Sequence, residues 1–275
     1  MNQDRLEQTL HGLALGPLRF FERIGSTNTE ALRWAEAGAP DLSLVVADEQ
    51  TAGRGRLGRQ WFTPPGAALA FSLVLRGPYD ASSNAQGDLP GRLARLTALG
   101  ALAVSQALQA MYGLRAQIKW PNDVLLSGRK VCGILAEAQW QGRQLSAVIL
   151  GIGINVSLAS TPPEAQWLYP ATSVEAELGR LVDRWQLLRS VLENLLVWRD
   201  RLGEAEFLRA WEDRLAFKGE WVYIYQDASD QTSPPEQGLL VGLDPAGCLQ
   251  VRTQSGELRS LNYGELRLRP ANPKR

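Results

Sequence analysis

The chain has 275 residues, 45% of them apolar, and its 29 basic and 29 acidic side chains give a formal net charge of +0. That length allows one large domain or a main domain with a small companion, and the balanced charge argues against a general affinity for nucleic acid. Two cysteines, Cys132 and Cys248, and a single histidine, His11, argue against a disulfide framework, a Ser-His-Asp triad, a Cys-His pair and a histidine zinc site.

The opening M-N-Q-D-R-L-E-Q-T-L is polar, without the apolar core of a signal peptide, and no apolar run approaches the ~18 residues that span a bilayer. A cytoplasmic protein with no membrane partner is expected. Residues 1–24 read as a lead-in closing on a strand, L-R-F-F-E-R-I at 18–24. In G-S-T-N-T-E-A-L-R-W-A-E-A-G, Ser26 or Thr27 caps a helix whose face is Ala31, Leu32, Trp34 and Ala35, ending near Gly38. Ser26, Thr27 and Asn28 are either caps alone or also ligand contacts at a helix N-terminus.

The apolar run 42–47 has strand length and delivers D-E-Q-T-A-G-R-G-R-L-G-R-Q-W-F-T-P-P-G-A at 48–67. Gly53, Gly55 and Gly58 alternate there with Arg54, Arg56 and Arg59, and Trp61 follows. Glycine lets a backbone approach a ligand closely. Arginine meets phosphate or carboxylate with several directed donors, and an indole offers a flat face to an aromatic ring. The loop therefore suits an anionic ligand that carries a base. It matches G-x-G-x-x-G, but Pro64 and Pro65 prevent the helix that a dinucleotide fingerprint needs. An RNA-binding arginine–glycine segment fits poorly, because this stretch lies between strands and not in a long repeat.

A strand is expected at 68–75, a surface loop at 77–91 and a helix from Arg92 to Met111. Strands follow at 116–120, 123–126, 130–139 and 144–156, then a loop at 157–172 and helices at 173–178, 180–202 and 204–214. From Gly219 onward, short strands alternate with the turns D-P-A-G and Q-S-G-E, and 227–237 reads as a loop. Hairpin-spaced strands without regular βαβ units predict an α+β fold, a mixed sheet with flanking helices, followed by a small β-barrel.

Three further stretches carry polar chemistry. K-W-P-N-D at 119–123 is either a strand end turned by Pro121 or a ligand site, in which Asp123 could hold Mg²⁺ beside substrate phosphates. Lys130 opens a strand beside other basic groups, and Cys132 reads as a buried small side chain. Gly151-x-Gly153 permits close backbone approach, with Asn155 placed to bond a base edge.

In order, S-T-N at 26–28, E-Q-T-A-G-R-G-R-x-G-R-x-W at 49–61, K-W-P-N-D at 119–123, G-R-K-V-C-G-I-L at 128–135 and G-I-G-I-N at 151–155 resemble the biotin protein ligases. The resemblance covers roughly residues 20–270. It implies a class II synthetase-like catalytic domain over 1–216 and an SH3-like β-barrel over 217–275. It also implies a reaction: biotin and ATP form biotinoyl-5′-AMP, and a lysine of a biotin carboxyl carrier protein then takes the biotinoyl group. The carrier would be a subunit of acetyl-CoA carboxylase or of a related biotin-dependent carboxylase. Neither step needs an enzyme nucleophile, which agrees with the scarcity of histidine and cysteine. Both need neutralised charge, aligned ligands and exclusion of water.

By the same resemblance Ser26, Thr27, Asn28, Gln50, Gly53, Gly55 and Gly151 would contact biotin, with Arg54 and Arg56 closing over it and the phosphate. Lys130 would bind the carboxylate and phosphate oxygens. Arg56, Arg59, Trp61, Lys119, Asn122, Asn155 and Arg269 would hold the nucleotide, Trp61 by stacking. Arg54, Lys130 and Asp123 would be catalytic. Asp123 either holds Mg²⁺ or assists deprotonation of the acceptor lysine, and Arg54 either stabilises charge or retains the adenylate. Some members carry a winged helix-turn-helix ahead of the ligase. About 20 residues precede the first strand here, so no DNA partner is expected, while a homodimer through a sheet edge is compatible with the family. Rival readings are a lipoate–protein ligase of the same fold and a non-catalytic adenine-nucleotide-binding module.

Overall fold

The structure, a computed structural model, describes residues 2–77, 89–142, 144–161, 169–225, 235–261 and 267–270. The expected loops at 77–91 and 227–237 lie largely outside them, as does the middle of the one at 157–172.

The expected lead-in contains a helix, α1 (Gln3–Leu10). Asn2 caps it by accepting from the Arg5 amide at 2.9 Å, and Leu6 and Leu10 are buried at i, i+4 spacing. The strand β1 (Leu18–Ile24) and helix α2 (Thr27–Glu36) follow, then β2 (Ser43–Gln50) and β3 (Ala68–Leu75). Helix α3 (Leu89–Tyr112) begins three residues before the expected Arg92. Strands β4 (Gln117–Lys119), β5 (Asp123–Leu126), β6 (Arg129–Gln141) and β7 (Gln144–Asn155) complete the main sheet. Its order is β1-β2-β3-β7-β6-β5-β4. Only β1 and β2 run parallel among its pairs, so the sheet is mixed as expected.

Side chains alternate between the two faces, as strand geometry requires. Leu44 and Val46 of β2 face the large core built on α3, while Val45 faces the opposite side and packs with Ala31, Ala35 and Ile149 under α2. The expected helix over 180–202 is α5 (Arg184–Arg199), after a short α4 (Val174–Leu178). Asp183 accepts from the amides of Trp185 and Gln186 and starts the helix there, leaving Leu181 outside it and 84% exposed. Helix α6 (Ala205–Glu212) leads to the C-terminal strands.

These are β8 (Trp221–Tyr225), β9 (Glu236–Leu243), β10 (Leu249–Thr253), β11 (Leu258–Leu261) and β12 (Arg267–Pro270). They form a second antiparallel sheet in the order β11-β10-β9-β8-β12. The turn between β9 and β10 docks this unit on the first. Trp120 Nε1 donates to the Gly247 carbonyl at 3.4 Å, and Arg95 reaches the Pro245 carbonyl at 2.7 Å. Trp120 is 1% exposed, so this indole serves as packing between the two sheets. No described helix is long and apolar enough to cross a membrane.

Candidate active site

The glycine–arginine stretch leaves β2 at Gln50 and returns beside it, because Gln50 and Thr63 form a β-bridge and Arg54 and Gln60 form another. The Trp61 amide donates to Gly53 at 2.8 Å, and the Gly55 amide to Arg59 at 2.7 Å. A β-carbon on Gly53 would meet the Trp61 carbonyl at 2.4 Å, so this glycine closes the hairpin. The loop thus folds back over the α2 face of the sheet. Between loop and sheet lies a cleft whose mouth opens to solvent.

Glycines make the floor. Gly133 of β6 pairs with Gly153 of β7, and Leu135 with Gly151. The Trp61 indole lies against Gly153, where a β-carbon would come within 2.4 Å of Cε2 and Nε1, and a β-carbon on Gly133 would touch the ring at 3.0 Å. Trp61 Nε1 is buried and meets no acceptor among the described residues. A β-carbon on Gly151 would lie 1.9 Å from Asn28 Oδ1.

One end of the cleft is neutral and polar. Ser26 stands at the N-cap position of α2, yet its hydroxyl makes no capping bond. Gln50 Oε1 accepts from the Thr27 amide at 2.8 Å and lies 3.1 Å from Thr27 Oγ1, while Gln50 Nε2 donates to Thr63 Oγ1 at 3.0 Å. The other end is cationic. Lys130 Nζ sits 2.6 Å from Asp123 Oδ1 and 5.5 Å from the centroid of the Trp61 ring. Arg56 donates to Asn122 Oδ1 at 3.2 Å, and Asn122 Nδ2 to the Ile134 carbonyl.

Ser26, Thr27, Asn28, Gln50, Arg54, Gly55, Arg56, Arg59, Trp61, Asn122, Lys130 and Gly151 all line this cleft. Other expected residues do not. Gly53 borders a second, outer cleft between the loop and the 135–137 stretch of β6, sharing Arg54 and Arg56 with the first. Lys119 is 5% exposed and lies 4.0 Å from the Tyr169 ring and 3.8 Å from Asp123 Oδ2, so its charge is spent beneath the cleft. Asn155 is 3% exposed and gives its amide to the Thr172 carbonyl at 3.0 Å, which ties β7 to the segment before α4. The Arg269 side chain lies outside the described residues.

Asp123 lies between two lysines. Burial pushes its pKa up, but Lys130, Lys119 and Arg59 together outweigh that and hold the carboxyl below its usual range. The carboxylate is committed to two ammonium groups, and no cluster of three His, Cys, Asp or Glu side chains occurs among the described residues. A Mg²⁺ that arrives with substrate phosphates needs only one or two protein carboxylates, and Asp123 is the carboxylate beside Lys130. Burial pushes the Cys132 thiol well up, which leaves it inert as a nucleophile.

Sequence reasoning missed Gly133 and Glu137. Glu137 Oε2 accepts from Arg54 at 2.5 Å and from Asn28 Nδ2 at 2.7 Å. Strand periodicity held the signal, since residues 133, 135 and 137 share one face of β6, where Gly133 and Leu135 line the cleft and Glu137 borders the outer one.

The model of the biotin/lipoate A/B protein ligase family matches residues 20–155. The biotin–[acetyl-CoA-carboxylase] ligase of Paracoccus denitrificans is 38% identical over 241 residues, covering 85% of this chain and 93% of that protein. The bifunctional ligase/repressor BirA of Bacillus spizizenii is 39% identical over 235 residues, 85% of this chain and 68% of the relative. Among solved structures, the biotin protein ligase of Aquifex aeolicus in complex with biotin and ATP is similar, with a TM-score of 0.76 at 29% identity. The match covers 93% of this chain and 99% of that one.

Proposed function

The chain belongs to the biotin protein ligase family, and on that premise we propose that the cleft beneath the 53–61 loop is where biotin and ATP meet. The reaction is ATP-dependent biotinylation of a protein lysine through biotinoyl-5′-AMP. The biotin carboxylate attacks the α-phosphorus and pyrophosphate leaves. The carrier lysine then attacks the biotinoyl carbonyl, and AMP leaves.

The observation that carries the residue assignment is the polarity of the cleft. Its neutral end, Ser26, Thr27 and Gln50, suits a ureido ring, and its cationic end, Lys130 and Arg56, suits the carboxylate and phosphate. Lys130 would neutralise the charge that gathers on the carboxylate and phosphate oxygens as they join. Asp123 holds that ammonium in place from below. The indole over Gly133 and Gly153 gives the adenine a face to stack on, and the hairpin covering the cleft keeps water from the mixed anhydride. Mg²⁺, on this reading, arrives with the nucleotide phosphates.

The acceptor is the carrier domain of a biotin-dependent carboxylase, and the location is cytoplasmic. Residues 1–216 form the catalytic unit and 217–275 the small β unit. Any homodimer would form through an edge of the main sheet. DNA is not a partner in this proposal.

Biotin-dependent exchange of labelled pyrophosphate into ATP tests the reading, with lipoate in parallel. Exchange with biotin alone is expected. Exchange with lipoate alone would reassign the ring contacts of Ser26 and Gln50. No exchange with either would leave a binding module.

A further inference from the structure

An unbroken line of hydrogen bonds crosses the sheet beneath the cleft, from Arg54 through Glu137, Asn28, Ser72, Thr27 and Gln50 to Thr63. It runs from one stem of the glycine–arginine hairpin to the other by way of four secondary-structure elements. Ser72 is fully buried, and Thr27 and Asn28 nearly so. A buried chain of this kind has a direction, because each hydrogen can serve only one neighbour.

Glu137 sets that direction. Paired with Arg54, its carboxylate only accepts, so the amide nitrogen of Asn28 must face it and the carbonyl Oδ1 must face Ser72, with the Leu135 carbonyl at 3.4 Å a weaker second acceptor for that nitrogen. Ser72 Oγ lies 2.6 Å from Asn28 Oδ1 and 2.8 Å from Thr27 Oγ1, with one hydrogen for two neighbours. Asn28 Oδ1 cannot donate, so it takes that hydrogen. The hydrogen of Thr27 is then drawn inward, to Ser72 Oγ or to Gln50 Oε1 at 3.1 Å. Either way Thr27 turns only a lone pair toward the cleft.

We infer that Glu137 is a positioning residue for ligand selection: it makes Thr27 an obligate acceptor, so the cleft demands an N–H donor from the ring bound there. This rests on the proposed function, for a ureido ring carries such donors and a dithiolane carries none. Gly151 serves the same end by leaving room for Asn28 Oδ1, which a β-carbon would overlap at 1.9 Å.

The test is calorimetric binding of biotin and lipoate to the full chain, wild type against Glu137→Gln and against Glu137→Gln combined with Asn28→Asp. A glutamine can present either end, so the orientation of Asn28 then rests on the long 3.4 Å bond from its Nδ2 to the Leu135 carbonyl alone, and the direction is weakened. Biotin affinity should fall about 10- to 100-fold in the single variant, the usual cost of one misdirected buried hydrogen bond. The margin over lipoate should shrink with it. In the double variant the carboxylate introduced at position 28 accepts both from the amide introduced at position 137 and from Ser72. That restores the direction, and affinity should return to within about 3-fold of wild type.

Unchanged biotin affinity in Glu137→Gln would overturn the inference. So would equal losses in the single and double variants when thermal melting shows both folded. If Glu137→Gln does not fold, recovery of both fold and biotin selectivity in the double variant still supports the inference, and recovery of fold without selectivity overturns it. Failure of the wild type to bind biotin is a separate result, and it would sink the proposed function itself.

Discussion

The indole of Trp61 rests on the α-carbon of Gly153, and no β-carbon could stand between them. Alanine at 153 would have to displace either the ring or the central strand β7, and the ring is the easier to move. Gly153→Ala should therefore keep the fold and weaken the nucleotide. Base–aromatic stacking is worth about 1–3 kcal/mol, so the KM for ATP should rise on the order of 10-fold or more, with biotin binding nearly unchanged. Steady-state kinetics varying ATP at saturating biotin measure this.

Lys130 is the cation placed to meet charge at the join of carboxylate and phosphate. Lys130→Met should slow adenylate formation about 10²–10³-fold, the usual loss for one charge-stabilising donor. Single-turnover formation of labelled adenylate reads this directly, apart from the transfer step.

Arg54 is held by Glu137, 2.5 Å away, at the end of the line that also fixes Asn28. It also belongs to the hairpin that covers the cleft. Arg54→Ala should form adenylate within about 10-fold of the wild-type rate yet release it into solution. Counting bound and free adenylate after one turnover distinguishes this from a chemical role, which would lower formation and leave retention intact.

Asp123 ties stability to pH. Its pKa in the folded protein lies below the unfolded value, so the native state holds the carboxylate more firmly than the unfolded chain does. The stability it supplies is complete above the unfolded pKa of about 4 and is lost as pH falls toward the lower folded value. Denaturant melts should find wild type more stable than Asp123→Asn at pH 7, with the gap narrowing progressively below about pH 5. A gap that widened toward acid would contradict the pairing with Lys130 and Lys119.

Gly247 holds the turn that docks the small sheet. It has φ +86°, and a β-carbon there would lie 2.8 Å from the Trp211 ring. Gly247→Ala should cost about 1–3 kcal/mol and lower the melting temperature, through strain at positive φ and crowding of a buried indole. Calorimetry of the variant checks it.

The strands were legible in the sequence because most are apolar runs bounded by glycine, proline or charge. Helix α1 was not, since Leu6 and Leu10 alone make too short a pattern to separate from a polar lead-in. The glycine–arginine hairpin and Lys130 announced themselves by composition. Lys119 and Asn155 have the same chemistry as true cleft residues, and only tertiary placement turns one toward Tyr169 and the other toward Thr172. Glu137 stayed hidden for the converse reason. A single carboxylate in a strand reads as solvated until the partners that bury it, Arg54 and Asn28, arrive from other parts of the chain.

Strand β7 lies at the middle of the main sheet, with β3 bonded along one side and β6 along the other. Its amides therefore have no local route to solvent, and they should trade hydrogen for deuterium only when the whole domain opens. Gly151 and Gly153 would be soft points in an isolated strand, yet pairing on both sides should give them slow exchange here. A cleft floored in this way has its shape set by the part of the chain least prone to local opening, not by the loop above it.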